Sequence, residues 1–227
     1  MISEEKSSNK VFIKGEIVAE AKYSHEVYGE GFYETEILVK RLSGKADVLP
    51  ITISEKLMET HCVSVGSEIC AIGQFRSYNK IEGGKSKLVL TVFIREIIDG
   101  KDVQNPNCIV LFGYICKPPV YRTTPFNREI ADVLVAVNRA YNKSDYIPCI
   151  AWGRNARFVK NLGVGEKIAL SGRIQSREYT KKLSETESKV MTAYEVSISK
   201  LAAYENADSF DMEAELGVNV PETAVTV

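Results

Sequence analysis

The stretch Arg173-Ile174-Gln175-Ser176-Arg177-Glu178-Tyr179, followed by Lys181 and Lys182, mixes cations with a flat aromatic ring at regular spacing. Side chains alternate faces along a strand. An extended run over 167–179, uninterrupted by a bulge, therefore turns Ile168, Leu170, Gly172 and Ile174 to a core. It turns Ser171, Arg173, Gln175, Arg177 and Tyr179 outward. In a second run, Tyr146 and Trp152 share parity, Arg154 follows at once, and Arg139 and Tyr141 precede it. Cations along a groove neutralise phosphates, and flat rings accept bases by stacking. Together they suit a single nucleic-acid strand held without regard to its sequence. Tyrosine and tryptophan are also ordinary strand and core residues. For Trp152 alone, burial and stacking are equal readings; Tyr179, among Arg177, Glu178, Lys181 and Lys182, is expected to be exposed. An earlier stretch places Phe75, Arg76, Tyr78 and Lys80 where the later one has 174–182, so these four are the first-half candidates.

Other chemistries find no support. No phosphate-cradling Gly-x-x-x-x-Gly-Lys-Ser/Thr occurs, and neither His25 nor His61 sits in a triad context or at metal-ligand spacing. The five cysteines, Cys62, Cys70, Cys108, Cys116 and Cys149, form no Cys-x-x-Cys pair, and most lie in apolar surroundings. They read as reduced, buried thiols. No enzyme activity, cofactor or metal is expected. No apolar run reaches the ~18 residues of a membrane span, and the opening residues are polar, so a cytoplasmic protein without membrane contact is expected.

A near-zero net charge of −1 conceals three unlike segments. Residues 1–104 carry 14 basic and 16 acidic groups, a net of −2. Residues 105–204 carry 15 and 8, a net of +7, and residues 205–227 carry none and 6, a net of −6. A basic body beside an acidic tail points to a polyanionic partner and a tail that competes with it. The tail has few large apolar groups and is expected to be disordered. Phe210, between Asp208 and Asp211, is its candidate anchor for a protein partner.

The elements that must position these residues occur twice. Asn9–Ile17 matches Asn107–Ile115 at an offset of 98, and Val65–Ser77 matches Val164–Ser176 at 99. Landmarks holding nearly one offset indicate duplication of a whole domain. The expected organisation is a flexible 1–8, a first domain over 9–98, a polar linker over 99–106, a second domain over 107–204, and the tail. In the second domain, strands are expected over 107–116, 130–138, 146–152, 167–179 and 191–201, with a proline-rich loop after the first. A short helix follows Arg154, and a charged hairpin spans 180–189. The first domain shows strands near 10–19, 32–40, 47–53, 67–77 and 87–97, with a helix opening at Ser54, a suitable N-cap. The fold class is all-β with short helices: two tandem five-stranded oligonucleotide-binding (OB) barrels, each with a helix between its third and fourth strands.

Asn107-Cys108-Ile109-Val110-Leu111-Phe112-Gly113, Ala136-Val137-Asn138-Arg139, Asp145–Ala156 and Gly172–Tyr179 together resemble the bacterial single-stranded DNA-binding proteins, as does Asn9–Gly15. The resemblance covers about 9–204 as two copies and is more specific in the second. It implies that aromatics at both ends of the third strand and at the end of the fourth stack on bases; by position these are Tyr146, Trp152 and Tyr179. It also implies four OB domains per working unit, which two chains of two domains would supply as a homodimer. The family's acidic tip closed by proline and phenylalanine, which recruits replication and repair proteins, is not matched by Pro221-Glu222-Thr223-Ala224-Val225-Thr226-Val227. The expected partners are therefore single-stranded DNA, a second copy, and replication proteins through the acidic tail. A primosome-type adaptor, and an assembly module with incidental DNA binding, are the alternatives.

Overall fold

The structure, a computed structural model, describes residues 8–41, 43–100, 105–182 and 188–203. Its first half contains β1 (Asn9–Ile17), β2 (Lys22–Val27), β3 (Glu30–Lys40), β4 (Ala46–Ser54), α1 (Glu55–Thr60), β5 (Glu68–Glu82) and β6 (Lys85–Ile97). The second half repeats this plan with β7 (Asn107–Ile115), β8 (Val120–Thr123), β9 (Glu129–Arg139), β10 (Lys143–Trp152), α2 (Arg154–Val159), β11 (Lys167–Lys182) and β12 (Ser188–Ala203). Ser54 caps α1 as expected, its Oγ accepting from the Leu57 N–H at 3.4 Å. Each half holds one more strand than expected. β2 is exposed at every position, so it carries no hydrophobic alternation to betray it, and β8 lies between Pro118-Pro119 and Pro125 in a stretch that reads as loop.

The strands form one sheet in the order β2-β3-β4-β6-β5-β1-β7-β11-β12-β10-β9-β8. Pairing of β3 back onto β1 closes the first half, and pairing of β9 onto β7 closes the second. Closure pairs the first barrel strand of each half on both sides, leaving β2 and β8 as the outer strands of the sheet, and places α1 and α2 between the third and fourth barrel strands. The closing contact is tight: a β-carbon on Gly15 or Gly113 would collide with the carbonyl oxygen of Leu38 or Ala136 on the closing strand. These two glycines stand at the duplication offset.

β1 and β7 pair antiparallel with each other, Asn9 opposite Leu111 and Ile13 opposite Asn107. Adding 98 to one partner and subtracting it from the other exchanges these two pairs, so the halves are related by an approximate two-fold axis through the shared ladder. Sharing explains why Val11, Phe12 and Ile13 are all fully buried. Val11 and Ile13 join the main apolar core, while Phe12 faces a second cluster with Cys70, Ile72, Cys108 and Val110. Where the β7–β11 ladder ends at Gly172, the Asn107 side chain continues it: Nδ2 donates to the Ile174 carbonyl at 2.7 Å, and Oδ1 accepts from the Ile174 N–H at 2.9 Å. Asn9 makes the same pair with Phe75, at 2.7 and 3.0 Å.

Two buried carboxylates bolt the halves together. Asp47 is fully buried and accepts from Arg41 of its own half and from the N–H and Oγ of Ser176 in the other, at 2.8 and 3.2 Å. Asp145 accepts from the N–H of Ser77 at 2.7 Å, while the Ser77 Oγ accepts from the Tyr146 N–H at 2.7 Å. Asp47 and Asp145 are 98 apart, and Ser77 and Ser176 are 99 apart, so the two contacts are one contact used twice.

Candidate nucleic-acid interface

On β11 the ladder shifts register between Ser171 and Gly172. The bulge falls before the charged stretch, so alternation holds from Arg173 onward. Ser171 is buried rather than outward, as is Gln175; the extra residue of the bulge is Ser199 on β12 and leaves the parity of β11 unchanged, and Ser171 is covered where β11 still pairs with β7. Arg173 lies opposite Ser197, Gln175 opposite Glu195, Arg177 opposite Ala193 and Tyr179 opposite Met191. Directly opposed residues share a face. β10 joins this face through its parallel pairing of Ile150 with Ser197, and the Trp152 Nε1–H donates to the Ser197 Oγ at 3.2 Å. Trp152 and Arg173 therefore both converge on Ser197.

The three aromatics on this face are comparably open: Tyr146 is 44 % exposed, Trp152 38 % and Tyr179 39 %. Arg177 is exposed and lies 5.9 Å from the Tyr179 ring centroid. Lys181, Lys182 and Arg154 are exposed. Tyr141 stands almost fully exposed in the β9–β10 turn with a φ of 61°. Arg173 is half-buried. Its Nη2 donates to Gln175 Oε1 at 3.2 Å, and its Nε is buried without a partner among the described residues. Burial and the neighbouring Arg41 push the Arg173 pKa down, against the pull of Asp47. Arg139 is placed differently: it lies 3.7 Å from Asp145 at the junction of the halves, which couples it to the bolt. The sequence also gave no sign of Glu195. Its buried carboxylate accepts from Gln175 at 2.8 Å and lies 3.7 Å from Arg177, orienting that arginine across the face.

In the first half, Phe75 is fully buried in the core and cannot stack on a base. It occupies the site of Ile174, so its parity is inward, and the first-half candidates lose this member. Arg76 lies with its guanidinium carbon 3.8 Å from the Phe93 ring centroid and donates to Gln74 Oε1. Burial, then Arg139 and Arg95, bring its pKa down to about 10. The Tyr78 hydroxyl donates to Glu34 Oε1 at 3.1 Å; burial and that carboxylate raise its pKa to about 12. Lys80 is exposed on β5, opposite Lys87. Phe210 and the acidic tail lie outside the described residues.

The first half has instead an aromatic ladder that sequence reading missed. His25 stacks on Phe32 at 5.2 Å with ring planes 12° apart, and Phe32 meets Phe93 at 5.5 Å, with Arg76 beyond. Under the offset of 98, Ser54 stands at the position of Trp152 and Phe32 at that of Ile130. The aromatic bulk has moved one strand across, since Phe32 pairs with Ser54 and Ile130 with Trp152. Comparing the two repeats pair by pair would have exposed this exchange; matching residue to residue could not.

The second half thus sets an outward face of alternating aromatics and cations on an OB-type arrangement of strands. Residues 106–202, somewhat less than half of the chain, match the model of the Single-strand binding protein family. Over 80 residues the chain is 39 % identical to single-stranded DNA-binding protein 1 of Staphylococcus aureus, covering 32 % of this chain and 48 % of that protein. It is 36 % identical over 80 residues to single-stranded DNA-binding protein A of Bacillus subtilis, covering 32 % and 46 %. The chain spans about half the length of these curated relatives. The crystal structure of the single-stranded DNA binding protein from Thermus aquaticus shares the fold over 86 % of this chain and 92 % of that one, with a TM-score of 0.63 at 18 % identity. The shared fold thus extends well beyond the family-matched segment.

Proposed function

We propose that the chain holds single-stranded DNA without reading its sequence, as a non-enzymatic protein that shields unwound strands during replication, recombination or repair. The observation that carries this reading is the outward face on which Tyr146, Trp152 and Tyr179 stand among Arg173, Arg177 and Lys181, with Lys182 beside it at the end of β11. Rings accept any base by stacking, and the cations take the phosphates between them. The names of the relatives agree with this reading. The test is a titration of labelled oligo-dT against duplex of equal length; preference for the duplex would overturn it.

Stacking is worth ~1–3 kcal/mol per base by alanine substitution. Tyr179→Ala, whose ring is partly exposed at a distance from the core, is expected to weaken oligo-dT binding by that amount with unchanged thermal unfolding. Trp152 is the only tryptophan, so its fluorescence reports the same face, and quenching on binding is expected. Undiminished affinity together with unchanged fluorescence would return both residues to a purely structural role.

A homodimer is the expected working unit, giving four barrels, and two-fold pairing is the commonest symmetry of soluble oligomers. Light scattering is expected to report twice the chain mass of 25.3 kDa. A monomer with full affinity would exclude a dimer requirement.

A further inference from the structure

The two edges of the twelve-stranded sheet are β2 and β8, and each belongs to a hairpin that ends in a bare aromatic side chain. Tyr28 is 105 % exposed at the β2–β3 tip, and Phe126 is 87 % exposed at the β8–β9 tip. The two positions are 98 apart, so the duplication places an aromatic at the same point of both hairpins. Tyr28 also adopts φ 51° and Gly29 φ 81° in the two-residue turn between Val27 and Glu30. Such turns favour Asn, Asp or Gly at the first position, and a bulky residue there costs conformational energy. Packing within the chain does not account for Tyr28, because its side chain is fully in solvent. An unfavourable backbone conformation that presents an aromatic to solvent points to a use outside the chain.

The tips differ in charge. Glu26 and Glu30 flank Tyr28, and neither has an ion-pair partner among the described residues. Arg122 and Arg128 flank Phe126; Arg122 is paired with Asp132, and the Arg128 side chain is unpaired among the described residues. Tip against like tip brings like charges together, whereas the first tip against the second brings carboxylates to a guanidinium and ring to ring. β2 pairs only with β3, and β8 only with β9, so each edge also offers unpaired backbone groups to a further strand.

We propose that the β2–β3 hairpin of one molecule docks on the β8–β9 hairpin of a second copy, linking copies head to tail. A heterologous contact with one site of each kind per chain does not use itself up; it generates a ring or an open series. Given the single-strand binding reading, on which this consequence rests, an open series lays successive molecules along one strand and makes their binding cooperative.

The test uses the full chain and begins without DNA. Sedimentation equilibrium at low salt is expected to show weight-average mass rising with protein concentration beyond any dimer. Tyr28→Asn, which suits the left-handed turn and so does not threaten folding, and Arg128→Glu are each expected to suppress that rise. Combining Arg128→Glu with Glu26→Lys and Glu30→Lys restores complementarity and is expected to restore it. With DNA, the single variants should bind an oligo-dT of one-molecule length as the parent does, but lose about tenfold in cooperativity on a strand holding several. Equal mass profiles for parent and Arg128→Glu would overturn the proposal, whatever the DNA result. Weakened binding to the short strand would also overturn it, by making Arg128 a DNA contact. Failure of the parent to bind any oligo-dT would sink the functional reading while leaving the mass measurement to judge the contact.

Discussion

Asp47→Ala is expected to destabilise the folded chain by about 3–5 kcal/mol, because it removes one partner from a buried, charged hydrogen-bond cluster. The Asp47 carboxylate is fully buried between the halves, with Nε and Nη2 of Arg41 at 2.5 and 2.6 Å and the Ser176 N–H at 2.8 Å. Deleting it leaves the Ser176 N–H without an acceptor and Arg41 without its counter-charge. Arg41 keeps some contact with solvent, which favours the lower end of the range. Burial by itself raises the Asp47 pKa; the Arg41 hydrogen bonds and charge, with the Ser176 N–H and hydroxyl, outweigh it and leave the group below its ordinary value. The ionised form is therefore the one the fold prefers. A depressed folded pKa gives stability that is fully present above the unfolded value of about 3.9 and is lost as pH falls through the lower folded value. Denaturant unfolding at pH 7 and across pH 5 to 2 checks both points. A loss below about 1 kcal/mol at pH 7 would show that the bolt is dispensable, as exposed ion pairs usually are.

Oligo-dT affinity is expected to fall by roughly three orders of magnitude between 0.05 and 0.5 M salt. Each phosphate neutralised on a single strand contributes about −0.7 to the slope of log K against log salt. Arg154, Arg177, Lys181 and Lys182 are exposed, and Arg173 is half-buried beside them; five phosphate contacts give a slope near ~−3.5. Replacing Lys181 or Lys182 by alanine should reduce the slope by about one contact's share and weaken binding to all sequences alike. Arg139→Ala should change the slope little and unfolding more, since that guanidinium serves Asp145. Affinity that ignores salt would contradict an electrostatic face altogether.

Most strands were legible because half-buried strands leave a period of two, and because duplication supplied two imperfect copies of each. β2 and β8 were not legible: they lie at the edges, bury nothing that alternates, and are held by hairpin hydrogen bonds that any residue can make. Within the candidate face, the exposure of Tyr146, Arg177 and Tyr179 was readable because alternation turns them outward; Trp152, for which burial and stacking are equal readings in the sequence, is partly open. Phe75 was misjudged because an aromatic was weighed by type, whereas its parity with Ile174 directed it inward.

Local and repeated features are written in the order of residues: the duplicated all-β plan, the Ser54 cap, the basic second half, and the parity that gathers rings and cations on one side of β11 and β10. These follow from residue spacing along a single strand. That Glu195 orients Arg177, that Arg139 faces a buried carboxylate, and that Phe32 and Phe93 meet in the first half emerge only from the packing of the strands. Each of these depends on which strand lies beside which, and in what register. The Asp47–Ser176 contact joins residues 129 apart. No periodicity in a chain specifies such a pairing, because it is set when the β1–β7 ladder brings two closed barrels together.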